Sequence, residues 1–179
     1  MNLFDSPAGF DDPLGMWMGC HRRMEKQLRT LAMLPAHLSE KGVDAEATRA
    51  AQAVLSYFDK AANHHHEDED LDLFPLLESR ITDRGDLANF RGLRARLEVE
   101  HELMKPSWSK IRKPLQGIAD GIAKPLALAD VEAFRALYVE HIPAEEQAVT
   151  DLARRYLNAA DLETLGKSMA ARRGVAFPA

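Results

Sequence analysis

Six histidine and glutamate side chains fall inside otherwise apolar helical stripes, and this constrains the possible fold more than any other feature of the chain. Apolar residues recur at three- and four-residue spacing nearly throughout, and no segment sustains a period of two, so an all-α fold is expected. Residues 1–12 read as an irregular lead-in. The first helix is expected to open at Pro13, capped by Asp12, and to run to about Leu34, where Pro35 ends or bends it. Further helices are expected from about Asp44 to Ser79, Asp86 to Leu115 and Asp130 to Leu157, with Asp130 as a cap. Gly117, Gly121 and Pro125 mark the connection before the last of these. A short fifth helix from Asp161 to Arg173 closes at Gly174, a residue suited to the left-handed turn that ends helices. Short links between four long helices predict an antiparallel up-down-up-down four-helix bundle, with the fifth helix laid against it and residues 13–179 as one domain.

His21 lies among Leu14, Trp17, Met18, Met24, Leu28 and Leu31 on the first helix. His65 and Glu69 continue a stripe from Ala47, Ala51, Val54, Phe58, Ala61 and Ala62 towards Leu73 and Leu76. His101 sits among Phe90, Leu93, Leu97, Met104, Trp108 and Ile111. His141 and Glu145 sit among Val131, Phe134, Tyr138, Ala148, Leu152 and Tyr156. A lone histidine in such a stripe is ordinarily a hydrogen-bonded core residue. Six polar groups at matching depth are another matter. Each unsatisfied one costs roughly 1–3 kcal/mol, and an unpaired interior carboxylate costs several kcal/mol more. No lysine or arginine lies on the stripes nearby to neutralise them, and the sum approaches a typical stability of about 5–15 kcal/mol. Bound cations remove the conflict.

Spacing agrees. Residues at i and i+4 share a helix face, so His65 with Glu69, and His141 with Glu145, each reach one region. Adding His21 and His101 gives two clusters of three ligands, which suits two adjacent metals bridged by the carboxylates. Imidazole and carboxylate together fit iron, manganese or zinc, and a sixfold nitrogen–oxygen set fits two six-coordinate irons better than a closed tetrahedral zinc. The layout of one histidine, then H-x-x-x-E, recurs in both halves of the chain.

The rest of the composition narrows the setting. A net charge of −5 without a basic face argues against nucleic acid, and a single cysteine among 179 residues excludes a disulfide framework. No apolar run is long enough for a bilayer and the start lacks signal-peptide layout, so no membrane partner and a cytoplasmic location are expected.

The pattern resembles the hemerythrin-like, or HHE cation-binding, family. The segment from His65-His66 through Glu69 to Leu73-Phe74-Pro75 is similar to that family's HH-x-x-E-x-x-x-LFP signature, and His141-Ile142-Pro143-Ala144-Glu145 to its fourth-helix motif. The similarity covers about residues 14–157. It implies an oxo- or hydroxo-bridged di-iron centre held by His21, His65, Glu69, His101, His141 and Glu145, with the two glutamates as bridges. Zinc or manganese are possible substitutes. Oxygen-carrying members have a second histidine on the third helix, where this chain has Leu97; the departure argues against reversible O2 transport, with His66 or, more weakly, Glu98 as substitute ligand.

Other residues read more plainly. His64 and His66 are rotated about 100° from His65 on a helix and are expected to be solvated or to support the ligands from outside. The acidic run Glu67–Asp72, apart from Glu69, reads as solvated surface. Cys20 is expected to be a small buried hydrophobe, His37 to serve a loop or helix end, and Arg172-Arg173 to complement a helix C-terminus. Pro75, Pro106 and Pro143 fall inside expected helices near ligand positions.

The first function expected is therefore binding of, or reaction with, O2, NO or peroxide in sensing, storage or protection. Competing readings are an iron-responsive module read by a protein partner, and a structural metal-binding bundle. An enzyme with an organic substrate is least supported, since no substrate clamp is evident; any oxidase- or peroxidase-like activity would be secondary.

Overall fold

A computed structural model describes residues 8–178. Among them the regular structure is entirely helical: α1 (Pro13–Lys41), α2 (Ala45–Ser56), α3 (Ala62–Glu67), α4 (Phe74–Arg80), α5 (Arg84–Ala119), α6 (Leu128–Val139), α7 (His141–Tyr156) and α8 (Ala159–Arg172). Two π-helical turns, Tyr57–Ala61 and Asp68–Leu73, join α2, α3 and α4 into one continuous second rod. With α1, α5 and the α6–α7 pair this makes four rods, with α8 packed on α1 and on the Asp68–Leu73 turn. Of the expected lead-in, residues 1–7 lie outside the described residues, and 8–12 are irregular.

The starts follow their caps. Asp12 accepts from the Gly15 N–H at 3.0 Å, and Asp44 accepts from those of Glu46 and Ala47 at 3.0 and 2.8 Å. The third rod starts at Arg84, two residues before the expected Asp86, and Asp83 caps it by accepting from the Asp86 N–H. Asp130 does not cap: α6 already begins at Leu128, which leaves Asp130 in the first turn.

The prolines behave unequally, for one reason. Pro35 does not end α1, which runs on to Lys41 and stops at Gly42 with φ 71°. Leu31 and Leu34 before it are buried and Leu38 after it packs on the same core, so apolar burial on both sides outweighs one missing backbone bond. Pro143 has no N–H for the Val139 carbonyl, and the fourth rod breaks at Glu140, just ahead of His141. Pro75 likewise cannot bond the Leu71 carbonyl. The chain before it widens into the π register, with Phe74 N–H reaching Glu69 O.

Two apolar cores form. One gathers Met24, Leu28, Leu31, Phe58, Ala62, Met104, Phe134 and Ile142. The other gathers Trp17, Leu73, Phe74, Phe90, Leu97, Val149, Leu165 and Met169. Each rod crosses from one to the other, and the crossing points are the residues singled out in the sequence. The break at Glu140 also sets the phase of α7, so Val149 is fully buried where the sequence stripe points to its half-buried neighbour Ala148.

Gly166 lets the lead-in cross α8. A Cβ there would lie 2.0 Å from the Phe10 carbonyl oxygen and 2.9 Å from the Phe177 ring. Backbone cannot yield as a flexible side chain does. Gly166→Ala is expected to destabilise the protein by about 1–3 kcal/mol, read as a lower midpoint in urea unfolding; an unchanged midpoint would mean the crossing is not fixed.

Candidate metal centre

Between the two cores lies a polar layer. His21 on α1, His65 on α3, Glu69 in the second π turn, His101 on α5, and His141 with Glu145 on α7 are all buried. Glu69 occupies the middle: its Oε1 is 2.9 Å from His65 Nε2 and 3.6 Å from His21 Nε2, and its Oε2 is 3.6 Å from His101 Nε2. Glu145 Oε2 lies 3.2 Å from His21 Nε2 and 3.7 Å from His141 Nε2. All six predicted residues therefore converge. They form two overlapping groups of possible ligands: His21, His65, Glu69 and Glu145, and then His66, Glu69 and His101. His141 joins the second through its Nε2, 3.2 Å from that of His101.

Three of the histidines are oriented from outside by carboxylates of other rods. His21 Nδ1 faces Glu146 at 2.9 Å, His101 Nδ1 faces Asp70 at 3.0 Å, and His141 Nδ1 faces Glu100 at 2.7 Å. A ring nitrogen held by a carboxylate carries a proton, and the other nitrogen is a bare lone pair when the ring is neutral. The Nε2 atoms of His101 and His141 face each other at 3.2 Å. Two bare lone pairs at that distance repel, so a shared proton or a metal ion lies between them. Two metal–nitrogen bonds of about 2.1 Å at a right angle place their nitrogens about 3 Å apart, so this spacing fits two ligands of one ion.

Unpartnered atoms give the same result. His21 Nε2, His65 Nδ1, His66 Nε2, Glu69 Oε2 and both Glu145 carboxylate oxygens are enclosed without a hydrogen bond. Apart from His65 Nδ1, which lies across the ring from the Nε2 that meets Glu69, these are donor atoms that a pair of cations would satisfy, and the residues fit such ions.

Charge is poised by the same crowding. Burial, then repulsion from Glu69, pushes the Glu145 carboxyl up to about 7. Burial and the charge of His65 pull His21 down, but its contacts with Glu145 and Glu69 outweigh both and raise it to about 9. Burial drops His141 to about 4 in spite of Glu100. Burial also works against the charge on Glu69, yet His65 and His21 hold it well below the usual carboxylate range.

Some neighbours differ from expectation. His66 is half-buried: its ring stacks on His101, centroids 4.1 Å apart, with Nε2 enclosed. Both π turns flank α3, the helix that carries His65 and His66. Glu98 turns away and pairs with Arg94 at 2.8 Å, so it is no substitute ligand. Leu97 is fully buried in the second core. Cys20 is buried as expected and accepts from Arg23 Nη2 at 2.9 Å. His37 reaches the helix cap Asp44 at 3.0 Å. Within the acidic run, Asp68 is buried, Asp70 serves His101, and Arg172 and Arg173 pair with Asp68 instead of merely ending a helix. Trp17 was placed only in the apolar stripe, yet its Nε1 donates to Glu69 Oε1 at 2.6 Å.

A helical protein whose four rods converge imidazoles and carboxylates on one interior layer has the makings of a cation-binding protein. The model of the hemerythrin HHE cation-binding domain matches residues 12–153, and the chain belongs to that family. A protein from Haemophilus influenzae (strain ATCC 51907 / DSM 11121 / KW20 / Rd), described only as uncharacterized, is 30% identical over 168 residues, 94% of each chain. No helix among the described residues is long and apolar enough to cross a membrane.

Proposed function

We propose that the protein holds two iron ions in this layer, within an up-down-up-down bundle of the four rods, and binds or reacts with O2, NO or peroxide in sensing, storage or protection. The order in which the rods meet the two cores supports the bundle: α1 and α5 run from the second core to the first, the other two rods from the first to the second. The observation that carries the metal reading is the pair of facing Nε2 atoms of His101 and His141, each fixed by a carboxylate on its far nitrogen.

His21, His65, His101 and His141 would supply nitrogens, and Glu69 and Glu145 would lie between the ions. His66 completes the second group, its enclosed Nε2 standing in for the ligand lost at Leu97. Bound iron would supply redox electrons and an open position for a small molecule. The chain supplies the approach. A cavity of about 300 Å³, lined by Phe58, Ala62, His66, Met104, Trp108 and Tyr138 among others, reaches His66 from the surface. Its wall is mostly apolar, with Asn63, Lys105 and Ser109 as polar members, and admits small neutral molecules. Trp17 fixes the Glu69 carboxylate, and the outer carboxylates fix the rings of His21, His101 and His141.

Metal analysis with an optical spectrum of protein grown with iron tests the reading. Two irons per chain are expected, with near-ultraviolet bands that respond to azide or NO. His65→Ala or Glu145→Ala should remove iron, and His66→Ala should weaken the second ion selectively. Unchanged iron content in these variants would remove the residues from the site. One zinc per chain with a silent spectrum would overturn the di-iron reading.

A further inference from the structure

We propose that Arg172 and Arg173, at the end of α8, are positioning residues for the metal centre: by holding Asp68 they set the rotation of the π turn that carries Glu69. The proposal rests on the metal reading above and concerns a part of the chain beyond the family match, which stops at residue 153. Asp68 is 1% exposed, as deeply enclosed as the core histidines, yet it faces away from the centre. Arg173 grips both its oxygens, Nη2 on Oδ2 at 2.7 Å and Nη1 on Oδ1 at 3.1 Å. Arg172 adds Nη1 on Asp68 Oδ1 and Nη2 on Asp72 Oδ2. Arg173 is itself tied to the Met169 carbonyl at 3.0 Å.

The other end of α8 is fastened too. Asp161 accepts from Arg80 Nη2 at 2.7 Å while also closing the capping box with Asn158. The helix is thus strapped along Asp68–Arg80 by ion pairs at both ends, with Leu165 and Met169 in the core between them. A π turn is an uncommon backbone state that is frequent at functional sites. This one is fixed from inside by Trp17 on Glu69 and from outside by the arginines on Asp68.

Adjacent residues on a turn rotate together. A carboxylate about 5.5 Å from a helix axis moves about 1 Å for a 10° rotation, whereas metal–ligand distances tolerate about 0.2 Å. Losing the outer grip should therefore impair the inner ligand before it unfolds the helix.

The test is anaerobic ferrous titration against a competing chelator on the full chain, paired with thermal melts of the metal-free protein. Arg173→Gln keeps Arg172 on Asp68, and Asp68→Asn keeps an acceptor oxygen and the side-chain shape, so each loosens the grip without emptying it. Both should weaken iron binding by about 10-fold or more, as loss of an outer partner does at metal sites, and should shift the iron absorption bands. Arg173→Lys should recover part of the affinity. Arg80→Gln, at the far end of the strap, should lower the metal-free melting temperature but leave iron affinity and bands unchanged. Arg173→Gln and Asp68→Asn binding iron as the wild type does would overturn the proposal, as would an equal loss of affinity in Arg80→Gln. Wild-type protein that takes up no iron would instead overturn the metal reading, and this proposal with it.

Discussion

Saturating the protein with ferrous iron is expected to raise its melting temperature by roughly 10 °C, and a chelator is expected to reverse the gain. The unpartnered atoms of the polar layer are the reason: five residues carry enclosed nitrogen or oxygen without a hydrogen bond. That strain is present in the folded metal-free state and absent from the unfolded chain, where water satisfies each group. A ligand that binds only the folded state at about a thousandfold over its dissociation constant adds about 4 kcal/mol. For a chain of this size each kcal/mol is worth about 2–4 °C. Differential scanning calorimetry under nitrogen, with and without iron, measures the shift. Magnesium serves as the control, because it prefers all-oxygen sites and keeps its waters. Equal shifts from magnesium and iron, or none from either, would separate the polar layer from metal binding.

The inner residues were legible because helix period and burial are coupled. His21, His65, Glu69, His101, His141 and Glu145 lie on stripes whose apolar members had to face inward, so their depth followed from their neighbours. The outer carboxylates were not legible by that route, since period assigns them to the surface. They do carry a local signal: Glu146 follows Glu145, Asp70 follows Glu69, and Glu100 precedes His101. Each sits beside an inner residue of its own rod yet serves a histidine of another. An acid next to a ligand on a bundle helix lies at the seam with the neighbouring rod, a cue that spacing within one helix does not display. The two π turns had no such cue beyond Pro75, and the reach of α8 depends on tertiary packing. Asp68 therefore looked like one more solvated acid, and Arg172 and Arg173 like a helix end. His66 was legible as a neighbour of the ligands but not by its contact, for a related reason. A rotation of 100° from His65 leads to solvent on an isolated helix, but here it leads to α5 and the ring of His101.

The metal-free protein is expected to lose stability as pH rises from 6.5 to 8.5, while the stabilisation by iron grows over the same interval. His21 titrates at about 9 in the folded protein, because Glu145 and Glu69 outweigh burial and the charge of His65, and near 6.5 when unfolded. His65 is also raised well above its ordinary value, burial being outweighed by the charge of Glu69. Above pH 6.5 the unfolded chain has released these protons and the folded one still binds them. The stability they contribute is complete below pH 6.5 and drains away towards pH 9. Glu145, raised to about 7 by burial and Glu69, works in the same direction from 4.5 upward. His141, lowered to about 4 by burial, acts oppositely but only below 6.5, where the unfolded chain takes up its proton first. From pH 6.5 to 8.5 the raised His21 alone removes about 2–3 kcal/mol. Iron takes the place of those protons, so its affinity climbs as they leave. Urea unfolding of metal-free and iron-loaded protein at the two pH values reads both slopes. Metal-free protein as stable at 8.5 as at 6.5 would show that these imidazoles are not held charged among the carboxylates. An iron increment that stays constant with pH would show that iron does not displace their protons.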